Sequence, residues 1–192
     1  MILILADIII GICLFVLFTS ILINFAESKN KRIKKEKKSM VETGSMTIFF
    51  LFFYILIRKK IGEFPVAPDL REYFVVIGLI MIVSGCIINI FGRFNLGSNW
   101  ANQVKIYHNH EFITNGVYGL VRHPLYASLM LMFYGACFVY PNYLAFLANT
   151  LIFIPFMHYR AKQEETLLSK TFKDYDSYKR GVGMFFPKIR FR

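Results

Sequence analysis

The chain has 192 residues, room for one modest domain, but 56% of them are hydrophobic and 17% aromatic, with 21 phenylalanines. Its formal net charge is +11, yet the basic residues fall in blocks between long apolar runs. That pattern excludes an ordinary soluble domain and argues against a nucleic-acid footprint; it fits basic loops flanking membrane spans.

The first apolar run extends from about Ile2 to Phe25, with Asp7 near its start. It lacks a basic beginning and a small-residue cleavage site, so it reads as a retained span. A polar loop from Glu27 to Ser39 follows, carrying seven Lys or Arg residues. The second run, Val41 to Ile57, lies at the lower limit for crossing a bilayer. Gly62, Pro65 and Pro68 mark a loop, and a third span is expected over Tyr73 to Phe91. Gly92 to Arg122 is the longest polar stretch between spans. Two short apolar runs, Leu125 to Tyr140 and Tyr143 to Tyr159, are separated only by Pro141-Asn142 and predict a tight helical hairpin. The tail from Arg160 to Arg192 is of mixed charge and helical at first. The expected fold is therefore an all-α integral membrane protein of about five transmembrane helices, organised as helices 1–3 (residues 1–92) and a functional region (93–192).

Loop charge sets an expected orientation. With the first loop cytoplasmic, 19 of the 23 Lys and Arg residues lie on the cytoplasmic side. The N-terminus is then outside and the C-terminus inside. Cys13, Cys86 and Cys137 each sit inside an apolar run and read as packing residues; no spacing suggests a metal.

The ionisable residues gather at one face. Arg122-His123-Pro124-Leu125-Tyr126 stands where the polar segment enters the fourth span, with Pro124 suited to a first helical turn. Free N–H groups there, with Arg122 and His123, favour an anion, although an interfacial Arg-His anchor has the same appearance. Arg160 and Glu164 are four apart and share a helix face; on an exposed helix such a pair is worth only ~0.3–0.5 kcal/mol. The hairpin returns the end of the fifth span beside the start of the fourth, so Arg122, His123, Arg160 and Glu164 are expected to converge on one pocket.

Gly116-Val117-Tyr118 followed by Val121 to Tyr126 resembles the signature of the isoprenylcysteine carboxyl methyltransferase family and its relatives, which include phospholipid N-methyltransferases. The tail agrees, with Arg160, Glu164-Glu165, Leu168, Phe172, Tyr175, Tyr178, Val182 and Pro187 at the family's spacing, as do Leu96-Gly97, Trp100, His110 and Thr114 upstream. Two departures stand out: Ser128 follows Ala127 where the family often has Gly, and Lys173-Asp174 precedes the tail tyrosines.

The resemblance implies S-adenosylmethionine as cofactor, bound by Arg122, His123, Pro124, Leu125 and Tyr126. Tyr118, Glu165, Tyr175 and Tyr178 are further candidates, the tyrosines through cation–π contact or as interfacial belt residues. It implies Arg160 and Glu164 as the catalytic pair, Arg160 holding an acceptor carboxylate with its planar fork. The acceptor is expected to be a lipophilic or lipidated molecule that arrives from the bilayer, with membrane lipids around the protein and neither metal nor nucleic acid as partner. An amine acceptor, an NADPH-dependent membrane reductase with a similar Arg-His-Pro segment, and a non-enzymatic scaffold are the rival readings.

Overall fold

A computed structural model describes residues 1–28, 33–37, 40–99, 104–107 and 111–188. Trp100, His110 and Arg192, all noted in the sequence, lie outside them. Helices α1 (Ile2–Ser28), α2 (Met40–Arg58), α3 (Pro68–Leu96) and α4 (Pro124–Val139) carry the apolar runs. Beyond them, α5 (Tyr143–Ala148) passes through a π-helical turn, Asn149–Phe153, into α6 (Ile154–Ser169), and α7 (Tyr175–Gly181) follows in the tail. A short ladder pairs β1 (Ile33–Lys37) with β2 (Val104–Tyr107) antiparallel, tying the first basic loop to the polar segment before α4. Nothing in the apolar patterning signals that ladder.

Two boundaries differ from the sequence expectation. Pro68 opens α3 rather than ending a loop, because a first-turn proline loses no hydrogen bond; α3 then continues past Gly92 to Leu96. The fifth apolar run, by contrast, leads without a break into the helix expected at the start of the tail, which ends at Ser169. The π turn accommodates Pro155. A proline obstructs the i→i−4 ladder, and just before it the Ile154 N–H reaches back five residues to the Asn149 carbonyl.

α1 and α3 are long and apolar enough to cross a membrane, while the apolar stretches Gly44–Arg58 and Pro124–Val139 are shorter. Their outward faces are apolar as well: Ile4, Ile8, Phe15 and Phe18 on α1, and Tyr73, Ile77, Ile80 and Phe91 on α3, are exposed. So broad an apolar surface needs lipid around it. The chain is an integral membrane protein.

α3 and α4 pack along a seam of small residues. An added Cβ on Gly78 would lie 2.6 Å from the Gly135 carbonyl oxygen, and one on Gly135 would lie 2.6 Å from that of Gly78. Gly85 and Gly92 repeat the close approach one and two heptads along, against Met132 and Leu125. Asn89 on the same seam donates to Ser128 Oγ at 2.7 Å and accepts from Arg93 Nε at 2.9 Å, and Arg93 also reaches Asn24 of α1 at 3.2 Å. On the other side of α4, Phe49, Phe53, Met130, Phe153 and Met157 form a core between α2, α4 and the π turn.

The chain reverses between α4 and α5 at Asn142. Its Oδ1 caps α5 by accepting from Ala145 N at 2.9 Å, while Nδ2 donates to the carbonyls of Leu56 and Ile61. The returning strand of helix then meets α4: Asn149 Nδ2 donates to the Met130 carbonyl at 3.2 Å, and the Tyr134 and Thr150 hydroxyls are 2.8 Å apart. This route carries Arg160 to Glu165 back to the first turn of α4.

The glycine seam should be intolerant of side chains. Gly78→Val must push a backbone carbonyl away and should destabilise the fold by about 1–3 kcal/mol. Gly11→Val, facing open space on α1, should leave stability near wild type. Thermal unfolding of both variants in detergent checks the pair.

Candidate functional site

The site grows from a short extended segment, Val121 to His123, between a 3₁₀ turn and α4. The turn, Gly116–Gly119, starts at Gly116 with φ +56°, where a side chain would also strike Asn95; the Asn95 Oδ1 accepts from Val117 N at 3.3 Å. The segment pairs with the tail in parallel: Arg122 N donates to the Gly183 carbonyl at 2.8 Å and His123 N to that of Met184 at 3.0 Å. Pro124 then opens α4.

Glu165 of α6 stands behind this segment, its side chain 1% exposed. Its Oε1 accepts from Arg122 Nε at 2.8 Å and lies 2.7 Å from Arg122 Nη2, with His123 Nε2 at 3.3 Å. Lys179 of α7 brings its ammonium to 2.9 Å from Oε2. Arg122 also donates from Nη1 to the carbonyls of Lys179 and Val182. Glu165 and Arg122 are thereby committed to each other and to the tail.

His123 lies between two carboxylates. Its Nε2 faces Glu165, and its Nδ1 is 3.3 Å from Glu164 Oε2. A neutral imidazole would aim a lone pair at one of those oxygens, so the ring favours carrying both protons. Burial opposes that charge, but the hydrogen bonds that the ring donates to both glutamates outweigh it and raise the histidine above its ordinary range. The converse holds for the acids. Burial pushes both upward, yet His123, Arg160 and Tyr126 together lower Glu164, and His123, Lys179 and Arg122 lower Glu165.

Glu164 differs from its neighbour in access. Its side chain remains 32% exposed, against 6% for His123. Tyr126 stacks on the His123 ring with centroids 5.6 Å apart and planes 5° from parallel, and Phe185 meets the ring edge-on. Arg160, 4% exposed, sets its guanidinium 5.9 Å from the Tyr126 ring centre and donates to Met46 Sδ of α2 at 2.8 Å. Arg122, His123, Tyr126, Arg160, Glu164 and Glu165 are thus one cluster.

Leu125 lies apart from it, against Gly92 of α3, and the other three tyrosines occupy a neighbouring aromatic cluster. Phe112 stacks on Phe172 at 5.4 Å and touches Tyr175 and Tyr178 at 5.6 and 5.3 Å. The Tyr178 hydroxyl donates to the Tyr118 carbonyl at 2.6 Å. Tyr118 and Tyr175 are buried, and burial first, then neighbouring carboxylates, holds their phenols protonated. Sequence reading missed Lys179, Phe112 and the Gly183–Met184 pairing, which arise from long-range contacts; the packing of Met46 against Arg160 was equally unsignalled.

The raised histidine fixes a sign for pH dependence. A group whose folded pKa lies above its unfolded value of 6.5 stabilises fully below that value and loses the effect as pH rises through the folded one. Wild-type stability relative to His123→Gln should therefore decline on moving from pH 6.5 into the alkaline range. Thermal unfolding of the two proteins across that range measures the difference.

The sequence profile described as the isoprenylcysteine carboxyl methyltransferase (ICMT) family matches residues 76–170. A probable protein-S-isoprenylcysteine O-methyltransferase of Oryza sativa subsp. indica is 32% identical over 136 residues, covering 68% of this chain and 71% of the relative. Protein-S-isoprenylcysteine O-methyltransferase B of Arabidopsis thaliana is 26% identical, covering 79% of this chain and 81% of the relative. Among solved structures, the eukaryotic intramembrane Ras methyltransferase ICMT superposes with a TM-score of 0.56 at 26% identity, over 80% of this chain. The chain spans only 54% of that structure's length. Profile, relatives and helix arrangement agree: this chain belongs to the isoprenylcysteine carboxyl methyltransferase family.

Proposed function

We propose that the protein methylates the carboxylate of a prenylated cysteine at the cytoplasmic membrane face, with S-adenosylmethionine as methyl donor, and that residues 93–192 form its catalytic region. The observation that carries this reading is Glu164: an ionised, partly exposed carboxylate on the wall of an otherwise buried cluster, four residues beyond Arg160 on one helix. Five spans, the last two a hairpin, with the N-terminus outside, complete the reading. The β1–β2 ladder supports it, since it pairs the first basic loop with the polar segment that leads to the site.

The residues present suit the donor. A sulfonium is a cation, and the site offers the Glu164 carboxylate beside the aromatic faces of Tyr126 and Phe185. When bound, S-adenosylmethionine supplies a methyl group activated by that positive sulfur. His123 acts one step back: with both ring nitrogens on glutamates, it holds Glu164 in place and charged. Arg122 and Glu165 hold His123. Pro124 and Leu125 fix the start of α4 against α3, and Tyr118, Tyr175 and Tyr178 wall the site from the tail side.

Arg160 is the group to receive the acceptor. Its guanidinium donates to a thioether, a weak acceptor that a carboxylate oxygen would displace. A carboxylate acceptor is ionised at neutral pH and needs no base. The protein has only to aim the oxygen at the methyl carbon and exclude water, and orientation supplies much of the rate. The relatives are named methyltransferases, so the reductase and scaffold readings are not favoured.

Two outcomes test the reading. S-adenosylhomocysteine at a hundredfold its dissociation constant should stabilise the detergent-purified protein by about 2.7 kcal/mol in thermal unfolding, whereas NADPH should not. Glu164→Gln should abolish the response; an undiminished shift in that variant overturns the assignment of Glu164. Arg160→Lys keeps the charge but loses the fork, and should lower kcat/KM for a prenylated cysteine about 10–100-fold, the loss of a charged hydrogen bond worth about 1.5–3 kcal/mol.

A further inference from the structure

The tail of this chain does more than cover the site. Val182 to Met184 runs as a strap along Val121 to His123, and two backbone hydrogen bonds join them at 2.8 and 3.0 Å. Those bonds fix the backbone of His123, whose ring in turn holds Glu164. The strap is short and follows α7 directly, so its placement depends on how α7 is fastened to the rest. α7 is held by Asp176, which accepts from Ser169 Oγ of α6 at 3.0 Å, by the Tyr178 hydroxyl on the Tyr118 carbonyl, and, at the site itself, by Lys179, whose ammonium lies 2.9 Å from Glu165 Oε2 while Arg122 occupies Oε1. Arg122 completes the loop by donating to the carbonyls of Lys179 and Val182.

We propose that Lys179 is a positioning residue: through Glu165 it seats the strap against His123, and so sets the Glu164 carboxylate for the cationic methyl donor. Lys179 touches neither donor nor acceptor on this view. Its side chain is 37% exposed, so it can be changed without opening a core cavity. Gly183 offers an independent way to disturb the strap. A Cβ there would lie 1.8 Å from the Phe186 carbonyl oxygen, so any side chain must force the strap out of its present course. The inference rests on the donor-binding reading above, but its mechanical half is measurable without any ligand.

The test uses the full-length protein in detergent, with hydrogen–deuterium exchange of the peptide containing Arg122 and His123, and affinity for S-adenosylhomocysteine. Lys179→Met should speed exchange of that peptide and weaken affinity about 10-fold. Lys179→Arg, which keeps a cation within reach of Glu165, should restore both. Gly183→Ala should reproduce the Met variant with Lys179 intact. Unchanged exchange in Lys179→Met and in Gly183→Ala overturns the strap mechanism, as does weakened affinity that Lys179→Arg fails to restore. If the exchange pattern appears but the wild-type protein does not bind S-adenosylhomocysteine, the link to the donor is overturned together with the donor reading, and the strap alone stands.

Discussion

The buried carboxylate of Glu165 is the constraint around which the site is arranged. Removing a charge from water costs several kcal/mol even after relaxation, and the cost is offset only by partners of opposite charge in close geometry. Glu165 finds three of them in two other parts of the chain: Arg122 and His123 before α4, and Lys179 in α7. Satisfying one acid therefore draws the motif segment, the end of the long C-terminal helix and the tail into one place. The neighbouring acid inherits its position from the same requirement. Consecutive residues on a helix point about 100° apart, so with Glu165 turned into the cations, Glu164 is turned toward accessible space.

The helices supply the frame that makes this convergence repeatable. α3 and α4 approach closely because glycine stands wherever their backbones would otherwise collide, and the Asn89–Ser128 hydrogen bond fixes their register near the site end. α3 then overshoots the expected membrane boundary, and its last turns do two further things. Arg93 ties α1 to the frame, and Asn95 holds the 3₁₀ turn that leads into the motif. The polar end of an otherwise apolar helix is thus the platform for the segment that carries His123.

Much of this was legible in the sequence, and the illegible part has a common cause. Apolar runs marked the helices, and the brevity of Pro141-Asn142 pointed to a return toward α4, where Asn149 bonds the Met130 carbonyl and Thr150 meets Tyr134. That topology alone placed Arg160 and Glu164 near Arg122 and His123. Helical periodicity could not tell which of Glu164 and Glu165 faces inward, because both belong to the same turn and the deciding partner, Lys179, is fourteen residues further on and in a different helix. The family resemblance made His123 a ligand for the cofactor; its placement between two carboxylates fits the positioning role proposed for it. The β1–β2 ladder was hidden for a similar reason: its strands are 67 residues apart, counted from Lys37 to Val104.

Charge state finally bears on which acceptor suits the site. An amine is protonated at neutral pH and must lose that proton before it can accept a methyl group, which calls for a base with a pKa near the working pH. Neither candidate provides one. Glu164 is held below the ordinary carboxylate range by His123 and Arg160, and His123 has its ring protons directed at two acids. A carboxylate makes no such demand, since it arrives as a nucleophile. What it requires is a cation to orient it, and Arg160 stands one helical turn from Glu164 on the same helix. With the roles proposed above, a carboxylate for the donor's positive charge and a guanidinium for the acceptor's negative one, the electrostatics of the cluster favour esterification over N-methylation.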